Sequence, residues 1–175
     1  MRKMKKVCAV LCAVLSALSL ASAFAGEDNF VRWDRIVGVI TALNVDNPVG
    51  TIHSGTFPWT TRSGLARVDL ISGAVHWEVD GLVINGANFS GTPGPITSVR
   101  GTLVCNAGGN QTVFNTVAVP LNSHGDAQFS GHLAGNPPGT CGNPIFLIRI
   151  AAPVAAQGRW IATGASPSIV DENDF

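Results

Sequence analysis

Four carboxylates, Asp69, Glu78, Asp80 and Asp126, are the residues of this chain best suited to acid–base chemistry. Two of them held about 5–9 Å apart could hydrolyse a glycosidic bond, one donating a proton while the other attacks or activates water. Three of the four lie in one stretch, and Arg67 is expected to face Glu78 there, so solvated strand charges explain them better. Ser123-His124-Gly125-Asp126 sets nucleophile, base and acid side by side. A catalytic triad converges from separate segments, however, and Asn, Gly and Asp in such a run favour a polar turn. The chain contains no G-x-S-x-G elbow, H-E-x-x-H helix or Gly-rich phosphate loop. The residues therefore point to a protein that is not an enzyme, with a small carbohydrate-active hydrolase using the hairpin carboxylates as the alternative.

Metal ligation needs three or four converging side chains, commonly two of them close in sequence. His53, His76, His124 and His132 are spread along the chain, and His76 has a neighbour expected in Asp69. The oxygen-rich runs at Asn44–Asn47 and Asp171–Asp174 lack the ligand spacing of a calcium loop. No metal and no cofactor is expected. Phe57 and Trp59, in an irregular loop, are the candidate ligand-binding residues, since aromatics there can stack on a sugar, although such residues more often cap one end of a sandwich core.

Residues 1–25 read as a cleaved signal peptide. Arg2, Lys3, Lys5 and Lys6 precede an apolar run, Val7–Leu20, and Ala23-Phe24-Ala25 makes a small-x-small cleavage site. The apolar run is too short for a retained span, which needs about 20 apolar residues. Cleavage would remove every lysine, leaving seven arginines against eleven acids, a formal charge of −4. No basic tract remains that could track a phosphate backbone, so nucleic acid is not an expected partner. A glycan or protein at the cell envelope is, the location is secreted or periplasmic, and the expected role is binding there or serving as a structural extracellular component. In that compartment Cys105 and Cys141 are expected to form a disulfide.

The stretch Leu65–Ile84 organises the expected fold. With Ser72-Gly73 as a two-residue turn, Leu70 meets Val75, Val68 meets Trp77 and Ala66 meets Val79. Asp69–His76 and Arg67–Glu78 then share the other face. One face is apolar and the other charged, so a slip by one residue would bury ionisable groups. Before the hairpin, Ile36–Leu43 is apolar on both faces, fitting a strand buried from both sides or one crossing between sheets. Asn44–Gly64 is irregular and is expected to fold back over the core.

After the hairpin, Ile96–Cys105, Thr112–Leu121 and Ala127–Leu133 read as an antiparallel meander, with Val113, Val117 and Val119 on one face. Ile145–Ala151 is the most apolar strand, and Arg159–Gly164 makes the last. Eight or nine short strands with Gly/Pro-rich turns predict an all-β fold, an antiparallel sandwich with a closed barrel as alternative. The domain is expected over 36–165, after a lead at 26–35 and before an acidic flexible tail at 166–175. An outer-membrane barrel is disfavoured by the absence of tyrosine and by charged outer faces.

The runs GTLVC (101–105), FLIRI (146–150) and RWIATGA (159–165), with FPWTTR (57–62) and GTPGPI (91–96), resemble those of secreted bacterial β-domain proteins of unassigned function. That resemblance implies export and one β-domain, and brings no ligand or catalytic residue with it.

Overall fold

A computed structural model describes residues 30–135 and 139–170. The expected signal, 1–25, and the acidic residues from Asp171 onward lie outside them. In chain order the strands are β1 (Phe30–Trp33), β2 (Arg35–Gly38), β3 (Trp59–Thr60), β4 (Ser63–Asp69), β5 (Ala74–Asp80), β6 (Val83–Ile84) and β7 (Ser98–Cys105). There follow β8 (Thr112–Asn115), β9 (Val119–Pro120), β10 (Ala127–His132), β11 (Ile145–Ala152), β12 (Trp160–Ala165) and β13 (Ser168–Val170). A five-stranded sheet has the order β10-β5-β4-β1-β13, and a six-stranded sheet runs β2-β12-β11-β7-β8 with β9 also on β7. A small pair, β3 with β6, completes the β structure of the described residues.

The inner faces of the two large sheets meet in one apolar core. Trp33 and Trp77 enter it from the first sheet and Leu103 and Phe146 from the second, all fully buried. The rings of Trp33 and Phe146 lie 5.5 Å apart across the interface. This is the expected antiparallel sandwich. It is not a closed barrel, because each large sheet has two ends: β10 and β13 in one, β2 and β8 in the other.

The chain changes sheets at Asp34, so the expected crossing strand is present as β1 and β2. The crossing comes earlier than expected, and the far end of the apolar run is not buried: Ile40 is 90% exposed. Consequently β1 falls within the expected lead and β13, paired with β1, within the expected tail. The sheets thus reach past 36–165 at both ends.

The central hairpin keeps its predicted faces and shifts its register by two residues. Val68 pairs with Val75, Ala66 with Trp77 and Arg67 with His76. Asp69 is the cause. Its Oδ1 accepts the backbone N–H groups of Ile71 (2.8 Å) and Ser72 (3.2 Å), and Oδ2 accepts the Ser72 hydroxyl. The side chain thereby builds a longer turn than Ser72-Gly73 alone, a familiar property of aspartate. Because the shift is even, Ala66, Val68, Val75, Trp77 and Val79 all stay buried. The expected pairs Asp69–His76 and Arg67–Glu78 do not form.

The expected three-strand meander is also corrected. β8 and β9 pair with β7, but β10 crosses to the other sheet and pairs with β5. Its inward face supplies the reason: Phe129 lies directly opposite Trp77, their rings stacked at 6.5 Å. The expected continuous strand Thr112–Leu121 breaks at Thr116. There the Thr116 hydroxyl accepts the Gly101 N–H (3.0 Å) in place of a ladder carbonyl, and Val117 turns out to 65% exposure.

Asn44–Gly64 folds back as expected. Ile52 and Ser54 are buried, and Ser54 bridges in parallel to Trp160 of β12. The Cys105–Cys141 disulfide is formed, with Cα atoms 5.1 Å apart. It ties the end of β7 to the loop before β11. These are neighbours in one sheet, so the bridge fastens an end of that sheet and does not join the two layers.

Candidate functional site

Three of the four carboxylates come together. Glu78 and Asp80, alternate residues of β5, share a cleft of about 380 Å³ with Asp126, which enters from the turn before β10. Asp69 is absent from it, spent on the hairpin turn. Asp126 is equally committed: Oδ1 accepts the Gly81 N–H (2.9 Å) and Oδ2 the Asn122 amide (3.1 Å). The Gly81 N–H first, then the Asn122 amide, hold its carboxyl below the usual aspartate range. An acid held ionised in this way is a structural brace and the wrong species for proton donation. Asp80 Oδ2 accepts the Ser63 hydroxyl at 2.8 Å. Glu78 and Asp80 are both exposed, without the apolar enclosure that surrounds a glycosidase acid.

Ser123–Asp126 is a polar turn. Asn122 Oδ1 accepts the N–H groups of His124 and Asp126, each at 2.9 Å, and Gly125 takes the left-handed φ of 82°. His76 Nδ1 meets the Ser130 hydroxyl at 2.7 Å, not Asp69. His124 and His132 are exposed. Among the described residues no group of three or more His, Cys, Asp or Glu side chains could hold a metal ion.

Phe57 and Trp59 part company. Trp59 is 4% exposed and belongs to the core. Phe57 is half-buried, edge-on to Phe89 at 6.5 Å. Both border a small apolar cleft of about 90 Å³.

The sequence reading missed a cationic cleft of about 390 Å³ between Thr51–His53 and the turn at Gly158. Arg149, half-buried on β11, and Arg159, just before β12, both line it. Arg149 Nε donates to the Gly158 carbonyl (2.7 Å), and Arg159 Nη1 to the Ser54 carbonyl (2.8 Å). Burial, and then neighbouring Arg100, push the Arg149 pKa down from the usual arginine value. His53 stands at the rim with Nδ1 2.5 Å from Asp46 Oδ2. That contact from His53, joined by the Ser54 N–H, holds Asp46 below the usual range against partial desolvation. One sequence signal for this site existed: an arginine interrupting the apolar run IFLIRIA.

No protein-family model, no curated protein and no solved structure matches the chain.

Proposed function

We propose that this protein is a non-catalytic binding domain working outside the cytoplasm. One observation carries the reading: of the three carboxylates that share a cleft, Asp126 spends its oxygens holding a turn and Asp80 accepts the Ser63 hydroxyl. What remains available on the surface, guanidinium groups above all, recognises ligands and does not transform them. The disulfide suits an oxidising compartment, and the signal-like segment at 1–25 agrees with export. Among the described residues no helix is long and apolar enough to cross a membrane.

The test is binding of the mature protein, residues 26–175, to a panel of glycans and cell-envelope fractions, with release of reducing ends followed in parallel. Saturable retention without turnover is the expected result. A second reading, the small hydrolase, is favoured by the cleft that Glu78, Asp80 and Asp126 share. Time-dependent release of reducing ends, lost in both Glu78→Gln and Asp80→Asn, would replace the binding domain with that enzyme.

A further inference from the structure

We propose that the cleft between Thr51–His53 and Gly158 binds an oxyanion of a small molecule, gripped by Arg149 and Arg159. This names a ligand class for the binding domain and rests on that reading. The first argument is unanswered charge. Arg149 lies directly opposite Arg100 in the β11–β7 ladder, and like charges facing across strands destabilise a sheet. No carboxylate among the described residues is in ion-pair reach of Arg100, Arg149 or Arg159. Arg149 is moreover half-buried, where a charge without a counter-ion is costly. An anion seated in the cleft would relieve both penalties.

The second argument is preorganisation. Arg149 donates to the Gly158 carbonyl and, at 3.4 Å, to Asn115 Oδ1, while Arg159 donates to the Ser54 carbonyl. These acceptors are neutral, so they aim the guanidinium groups without cancelling their charge. Each guanidinium has five donors in a planar fork that matches carboxylate, sulfate or phosphate oxygens, and some stay unused here. Gly158, with φ of 89°, lets the turn close on Arg149, where a Cβ would stand 3.3 Å from Nη2. The cleft, about 390 Å³, suits a ligand of monosaccharide size. No acidic residue lines it, in contrast to the cleft at Glu78.

The test is an NMR titration of the mature protein with sulfate, phosphate and galacturonate at constant ionic strength, with neutral galactose as control. Saturable shifts confined to 51–53 and 157–159 are expected for at least one anion and not for galactose. Whichever anion saturates identifies the source of the group, a uronic acid, a sulfate or a phosphoryl compound. Arg159→Gln should weaken binding roughly tenfold or more, the worth of a lost charge-assisted contact. Arg149→Lys, which keeps the charge and loses the fork, should weaken it too, with an unchanged spectrum elsewhere reporting an intact fold. Non-saturating shifts with every anion, or equal affinity in both variants, would overturn the inference. Envelope binding without anion binding would sink this inference alone. Anion binding accompanied by time-dependent release of reducing ends would sink only the broader, non-catalytic reading.

Discussion

Asp46, Asp69 and Asp126 each use a carboxylate to hold backbone or a neighbouring side chain in place. For Asp69, partial burial pushes the pKa up, and the Ser72 hydroxyl with the Ile71 and Ser72 N–H groups outweighs it. All three therefore titrate below their ordinary value of 3.8 in the fold. The unfolded chain takes up these protons first on acidification, so their contribution is complete above the ordinary value and lost as pH falls through the folded ones. Urea midpoints should stay level from neutrality to about pH 5 and drop below about pH 4. Asp69→Asn and Asp126→Asn should each flatten that drop, and an unchanged slope in both would contradict the assignment. Thr116, 3% exposed, tests a neutral contact at the same scale. Thr116→Val keeps the shape and leaves the Gly101 N–H without its acceptor. It should cost about 1–3 kcal/mol in a denaturant titration.

Packing between elements depends on close approach at Gly101. A Cβ there would run into the Trp77 indole and the Phe146 ring, both fully buried. Overpacking of this kind costs about 1–3 kcal/mol, so Gly101→Ala should lower the urea midpoint without changing its slope much. A glycine inside an otherwise alternating strand is readable as a close approach, but the sequence does not say what approaches. The hairpin teaches a related lesson. Alternation over Ala66–Val79 specified which side chains are buried, since a slip by one would invert the faces. A slip by two leaves the faces alone, so the choice between registers passed to Asp69, whose turn contacts carry no signature in the alternation. The same indifference let β10 leave the expected meander, because any alternating strand can pair with any other until Phe129 finds Trp77.

At the scale of the whole molecule, the disulfide closes a loop between residues 36 apart in sequence. On chain entropy alone that is worth about 4 kcal/mol. Reduction, or Cys105→Ser with Cys141→Ser, should therefore lower the thermal midpoint of the protein markedly. A midpoint equal to that of the oxidised form would show that the bridge constrains little.

Period-two alternation, turn residues and paired cysteines determined by themselves that this is an antiparallel all-β domain with a disulfide, leaving sandwich and closed barrel both open, because burial acts on each strand locally through its two faces. The tertiary structure alone decided strand partners, the hairpin register and the gathering of Arg100, Arg149 and Arg159. Residues far apart in sequence become neighbours only when strands align, and no local pattern encodes which strands those are. The candidate site shows the difference most clearly. Phe57 and Trp59 lie in an irregular loop expected to fold back over the core, and only the packed structure shows that this takes Trp59 inside and leaves Phe57 half-buried. Scattered arginines form no basic tract in the sequence, yet the β11–β7 ladder sets two of them face to face and a turn brings up a third.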